Sequence, residues 1–487
     1  MLRTWIALPA RAWVRALGST LPVLAVAVVV LASATDFFPD TALVPGVPLI
    51  SVITPLRLVI VGGMIALLCT GARLSTLRTR IDIPIGVLLL VSTVGTVAGR
   101  WPGAPLRELF VEVMVFYLAV GLRRTHPESW AAVSMLALVS VSIAGTVAFA
   151  QVTNQTPTGF CGGGFLGDDV TCAHGAMIRA EGTFSNPNEL AAFLLLLAPL
   201  AALAVTLVTE KLTRVVLIGL TIVGSAAVVT TFSRGAYVAI VMSLLVAVAR
   251  GPLARLSRVQ LTLIATAGTL VLAGSGMVIA VLARHNASLG LREKAWTAAI
   301  REALAHPVLG VGLGRAGSVV TARTGTQFAH VHNLWLNWLV ETGVPGLLAV
   351  TTITVVGVVS AARLASQGSA IGTAELAGLT GFLLMSLLDD PANLSRIALV
   401  MWLMIGLIMA ETPARWRDAF APARAEASGQ PKHTGASSTE LPEPGGPSAR
   451  ENDPSVTQPM PAVPAPSSRA VETRVTARNP PPPDALG

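Results

Sequence analysis

Repeated apolar stretches of about 17 to 22 residues, each long enough to cross roughly 30 Å of hydrocarbon, constrain this chain more than any motif in it. They fall near 17–35, 52–70, 83–99, 106–122, 130–150, 188–208, 213–231, 235–250, 260–283, 335–360, 374–388 and 394–410. The expected fold class is therefore all-α, a polytopic integral membrane protein of about 12 transmembrane helices, and an even count leaves both termini on one side. Composition agrees, because 53% hydrophobic and only 12% charged residues, with a mean hydropathy of +0.69, lie far from soluble averages, and a water-soluble core of this size would not need so much apolar surface.

Short loops rich in Arg and Lys stay cytoplasmic. Arg3, Arg11 and Arg15, then Arg73, Arg78 and Arg80, Arg123 and Arg124, Lys211 and Arg214, and Arg250, Arg255 and Arg258 form one alternating set. That set is read as the inside of a cytoplasmic (inner or plasma) membrane, with both termini cytoplasmic. The net charge of +8 then reflects topology and gives no reason to expect a nucleic-acid partner. The basic N-terminus, the apolar run from Leu17 to Leu31 and Ala32-Ser33-Ala34 resemble a signal peptide, but the reading adopted is an uncleaved first helix.

The chain divides into a cytoplasmic N-terminus (1–16), an N-terminal transmembrane region with an outer loop (17–178), a central region (179–360), C-terminal helices (361–411) and a tail (412–487). The tail is dominated by Pro, Ser, Ala, Glu and Arg, which cannot bury enough apolar surface to offset ordering, so it is expected to be a disordered cytoplasmic tail. Two outer segments, 151–187 and 284–332, interrupt the membrane pattern. The first carries Cys161 and Cys172, a possible disulfide in an oxidising compartment, whereas Cys69 falls within an apolar span. The second contains an amphipathic stretch from Leu291 to Leu304, expected as a helix along the membrane surface.

Polar residues with a purpose concentrate around these segments. HVHNLWLNWLVETGVPG begins at His330 and places His330, His332 and Asn333 at a helix mouth, with Glu341 further along; Gly343, Pro345 and Gly346 can break that helix. A carboxylate in an apolar helix is costly without a partner or a role. The His-x-His pair has no further zinc ligands evident nearby in sequence, so no metal is expected. HPVLGVGLG at 306–314 lacks the flanking strand of a nucleotide loop and reads as a backbone turn. In RAEGTFSNPNELA (179–191), Asn186 suits a helix cap, Pro187 the first turn and Glu189 the capping-box position. Arg179, Arg234 in TFSRGAY and Arg292 are left as outer cations. Singly, each has the character of a surface or headgroup arginine; together they suit an anionic diphosphate, which calls for fork-shaped permanent donors.

These segments, in order and spacing over roughly 179–360, resemble the O-antigen ligase and polymerase family of membrane glycosyltransferases. The resemblance implies transfer or polymerisation of a glycan from a polyprenyl-diphosphate-linked donor onto an acceptor hydroxyl of a glycan, lipid or protein, at the extracytoplasmic face and among membrane lipids. It implies His332 as the group that activates or orients the acceptor, Glu341 in support, and Arg179, Arg234 and Arg292 as the diphosphate-binding residues, with His330 and Asn333 secondary. It calls for no cofactor and fits an inverting, metal-independent reaction in cell-envelope polysaccharide assembly. The competing function is a multi-helix transporter of an anionic or polar solute, against which the chain shows no convincing internal repeat. The cysteine pair and the long proline-rich tail depart from the family core.

Overall fold

The computed structural model describes residues 10–35, 53–70, 72–162, 177–253, 287–393 and 395–412. The expected span 260–283, Cys172 and the tail beyond 412 lie outside them. Helices coincide with every other expected span: α1 (Ala10–Ala34), α2 (Pro55–Cys69), α3 (Asp82–Ala98), α4 (Ala104–Thr125), α5 (Ser129–Thr153), α6 (Pro187–Leu203), α7 (Lys211–Ala226), α8 (Arg234–Leu253), then α11 (Leu334–Ser366), α12 (Ala370–Met385) and α13 (Ser395–Ala410). Between α8 and α11 the chain also forms α9 (Ala287–Ala305) and α10 (Ala316–Thr324), and a small two-stranded sheet pairs β1 (Cys161–Gly162) antiparallel with β2 (Met177–Ile178).

Four segments among the described residues are helical, long and apolar enough to cross a membrane: Ser129–Thr153, Pro187–Leu207, Lys211–Thr231 and Leu334–Ser366. Shorter apolar helices occupy most of the other expected positions. Caps set several starts, with Thr54 accepting from the Arg57 amide ahead of α2 and Ser369 from the Gly372 amide ahead of α12.

The bundle is built around α13, whose residues from Ile397 to Met409 are all buried, as a helix that is apolar on every side requires. It packs on α4, while α12 lies against α6, α8 and α11. Small residues allow close approach where apolar solvent supplies no drive to associate. A Cβ on Gly406 would come within 2.6 Å of the Phe116 carbonyl, and one on Gly378 within 2.4 Å of the Leu196 carbonyl. In contrast, α7 exposes Leu212, Val215, Val216, Ile222 and Val223, an apolar outer surface suited to lipid.

A second, smaller core forms under α9. Ala295, Ala298, Ala299 and Ala303 make one helical stripe, packed with Ala316, Val320, Phe328, Val331 and Val340. The large apolar residues Leu291, Ile300 and Leu304 point away from it. A helix is therefore present where one was expected, but its inward face is alanine, which brings its backbone close to α10 and α11. An ion pair from Arg323 to Glu302 also ties α10 to α9.

Candidate functional site: a histidine–aspartate cluster at the mouth of α11

The mouth of α11 is stapled to the connection between α12 and α13. Asn333 adopts an extended backbone, its Oδ1 accepts from the Leu336 amide at 2.9 Å, and its Nδ2 donates to the Leu387 carbonyl at 2.8 Å. The Leu334 amide donates to the Ser386 carbonyl at 3.0 Å. One residue earlier, His332 has φ 56°, a left-handed conformation that costs a non-glycine residue roughly 1–3 kcal/mol and persists only when its surroundings hold it. The Trp296 indole, donating to the His332 carbonyl at 3.3 Å, is part of that hold.

These ties bring Asp389 between the two histidines. His330 Nε2 lies 2.8 Å and His332 Nδ1 3.1 Å from the same oxygen, Asp389 Oδ1, and the two rings are 4.4 Å apart. Asn188 Nδ2 donates to the other oxygen, Oδ2, at 2.9 Å. Burial alone would raise the Asp389 carboxyl, but the hydrogen bonds from both histidines outweigh it and hold it well below the usual carboxylate range. Burial likewise opposes the charged form of His330, and the hydrogen bond and charge of Asp389 overcome it, so its pKa is raised. An ionised carboxylate only accepts, so both ring nitrogens facing it are donors. That leaves His332 Nε2 as the nitrogen with a lone pair when the ring is neutral. His332 is also the reachable partner, with its side chain 27% exposed against 11% for His330.

The arginines are placed differently from one another. Arg179 is buried at 8% exposure, not a surface cation: its Nε donates to the Thr231 carbonyl at 2.9 Å and its Nη2 to Asn188 Oδ1 at 3.4 Å. Thr231 precedes Phe232, whose φ of 47° turns the chain into α8, so the turn that receives Arg179 also launches Arg234. Arg234 itself is exposed. Ser233 beside it donates from Oγ to Met385 Sδ at 3.9 Å. Arg292 is half-buried one turn before Trp296 and therefore shares the face of α9 that leans on His332. Asn186 does cap α6, accepting from the Asn188 amide at 2.8 Å, but Glu189 bonds Ser185 in place of closing a capping box.

Glu341 does not meet the histidines. Its Oε1 accepts from the Ala316 amide at 3.2 Å, and the backbone around it receives the 306–314 loop: Val311 donates to the Val340 carbonyl at 2.8 Å and Gly312 to the Glu341 carbonyl at 3.0 Å. Gly343, at φ 68° and ψ −169°, breaks α11 at this point. The glycine-rich segment is thus a backbone turn docked on a helix break, as its lack of a flanking strand suggested. Cys161 is disulfide-bonded and Cys69 is a free thiol exposed at the end of α2.

The sequence alone offered no third ligand beside the two histidines; the fold supplies Asp389, so His330, His332 and Asp389 present three potential metal-ligand atoms within 4.8 Å of one another. Ligand atoms about 2.0–2.1 Å from a tetrahedral metal stand about 3.3 Å apart. The contacts of 2.8 and 3.1 Å are of ordinary N–H···O hydrogen-bond length, and an ion between them would require them to widen by a few tenths of an ångström. Asp389 and Asn188 are the site residues the motifs missed. The signal for Asp389 was an acidic pair, Asp389-Asp390, wedged between two apolar spans.

Fold and site together define a helical, multi-pass membrane protein with a buried polar centre at one end of its bundle. Within it, residues 217–351 match the family model described as O-antigen ligase (Wzy_C). The match, less than a third of the chain, takes in Arg234, Arg292, His330, His332, Asn333 and Glu341, supports the O-antigen ligase and polymerase resemblance, and with it a membrane glycan-assembly function. No curated protein matches the chain. Arg179 and Asn188 precede the matched segment and Asp389 follows it; the fold bonds Asp389 to the histidines, Asn188 to Asp389 and Arg179 to Asn188.

Proposed function

We propose that the protein is a membrane glycosyltransferase that moves a glycan from a polyprenyl-diphosphate-linked donor to an acceptor hydroxyl at the extracytoplasmic face of the cytoplasmic membrane. The observation that carries this reading is the hydrogen bond of His332, which lies inside the segment that matches the ligase family, to a buried, ionised Asp389 beyond it. Asp389 holds the His332 Nδ1 proton, so Nε2 faces the acceptor as a base. The acceptor oxygen bonds to the anomeric carbon, its proton passes to Nε2, and the carbon–oxygen bond to the diphosphate breaks with its electron pair leaving on the diphosphate. A displacement of this kind inverts the anomeric centre.

Arg179, Arg234 and Arg292 are assigned to the donor diphosphate, where fixed cations stabilise the charge that grows as the bond breaks. Glu341 serves the site indirectly by bracing the 306–314 loop. The test is a purified His332→Ala protein. It should retain donor binding and lose transfer by about 10²–10⁴-fold, the range for a positioned general base. Transfer at the wild-type rate removes His332 from the mechanism, and solute flux without transfer replaces the enzyme with a carrier.

A further inference from the structure

Asp389 carries a single carboxylate with claims on both sides of it. The histidines take Oδ1, and across Asn188 lies the guanidinium of Arg179. Arg179 and Asp389 are 8% and 6% exposed, and a carboxylate and a guanidinium buried this close gain a charge-assisted bond roughly twice as strong as a neutral one if they meet directly. They do not meet here: Asn188 stands between them, its Nδ2 given to Asp389 and its Oδ1 to Arg179. Its own backbone is fixed in the first turn of α6, where its amide bonds Asn186 Oδ1 at 2.8 Å.

We propose that Asn188 is a positioning residue, an uncharged spacer that holds Asp389 off Arg179 and so commits the carboxylate to His330 and His332. A primary amide suits the task because it offers a donor to the anion and an acceptor to the cation from one planar group. An aspartate there has no donor for Asp389, and an aliphatic side chain has nothing for either. The proposal takes its catalytic meaning from the transferase reading, but its structural claim concerns which donors Asp389 keeps.

The experiment therefore reads the histidines directly. In detergent-solubilised full-length protein without substrate, the His330 imidazole is titrated by NMR, with His330→Gln used for assignment. Asn188→Leu keeps the γ-branched shape of the side chain and removes both hydrogen bonds; Asn188→Ala serves if the bulkier leucine variant fails to fold. Freed from the spacer, Asp389 turns to Arg179, and the His330 pKa should fall by about one unit or more. The other acidic groups that act on His330, Asp390 and Glu189, are left in place. Adding Arg179→Met removes the competing cation, and the His330 titration should return towards wild type. An unchanged titration in the single variant, or a fall that Arg179→Met does not reverse, overturns the spacer. A wild-type protein with the expected titration but no glycan transfer overturns the proposed function and leaves the spacer standing. Where transfer is measured, kcat should fall by more than the KM for donor rises, because His332 loses its Asp389 partner.

Discussion

Two imidazoles share one carboxylate oxygen at Asp389, and that sharing decides which ring nitrogens carry protons. An Asp389→Asn protein keeps an oxygen in place but loses the charge that overcomes burial at His330. Its His330 pKa should drop, and transfer should fall by about 10²-fold if the carboxylate also orients the His332 base; NMR titration and turnover check the two parts separately. Folding linkage follows the same charges. Asp389 is depressed, so its stabilisation is present above the unfolded carboxyl value and lost as pH falls. Asp390 behaves oppositely: burial, with Asp389 adding to it and His330 opposing, pushes it up to about 7. Between its unfolded value near 4 and about 7 the folded state binds the extra proton, so stability from this group declines as pH rises through that window. Asp390→Asn should flatten that decline and raise stability at pH 8 by up to about 4 kcal/mol, the equivalent of about three pKa units, as thermal unfolding at pH 5 and pH 8 would read. The motifs around Arg179, Arg234, Arg292 and His332 were legible because each is local. Asp389 was not, because its relation to the histidines spans 57 to 59 residues and is made by packing of α11 on the connection before α13. Asn188 was hidden by its neighbours, since in SNPNELA the capping pattern of Asn186, Pro187 and Glu189 gives the segment a local reason to be polar.

At the scale of elements, the break in α11 and the loop that fills it are one device. A Cβ on Gly310, already at φ 65°, would sit 2.4 Å from the Glu341 carbonyl carbon, and one on Gly343 would sit 2.6 Å from the Pro307 carbonyl oxygen. Gly310→Ala should therefore cost more than the roughly 1–2 kcal/mol of a left-handed alanine. Its expected signature is a Tm lowered by several degrees, with weakened transfer because the 306–314 loop no longer seats against Glu341; an unchanged Tm would mean the loop is not docked there. Gly343, Pro345 and Gly346 announced the break in the sequence, but its partner loop could be seen only once Val311 and Gly312 were found bonded to it. The hairpin of β1 and β2 is a second such device. The Arg179 amide donates to the Phe160 carbonyl at 3.0 Å, the Arg179 carbonyl accepts from Thr158 Oγ1 at 2.9 Å, and the disulfide-bonded Cys161 pairs with Ile178. Reduction, or Cys161→Ser, should loosen the strand that carries Arg179 and weaken binding of a polyprenyl-diphosphate donor several-fold, while Cys69→Ser should not. Equal donor affinity in oxidised and reduced protein would separate the disulfide from the site.

For the whole molecule, the apolar spans were legible because a bilayer sets a minimum length on each and leaves a run that any hydropathy window detects. Which face α9 would turn inward was less legible, because packing on alanine reverses the usual expectation that the large residues are buried. The internal geometry now links the charge pattern to the site. Arg124 reaches the carbonyls of Thr76, Arg78, Met409, Ala410 and Thr412, gathering the basic 73–80 segment, the end of α4 and the end of α13. The start of α4 is at the other end, where a Cβ on Gly314 would touch Pro105 at 2.7 Å, and Asp389 likewise precedes the start of α13, at the end of that helix away from Arg124. If the basic end is cytoplasmic, as the Arg and Lys bias predicts, the His332 site must open to the far side, where a flipped lipid-linked glycan is presented. In a Cys69→Ser background, Gln327→Cys, exposed near the histidines, should react with a membrane-impermeant maleimide added to intact spheroplasts. Ser75→Cys, exposed at the basic end, should react only after permeabilisation. The reverse pattern would place the site on the cytoplasmic side and remove a flipped donor from the mechanism, whatever the histidine variants do to turnover.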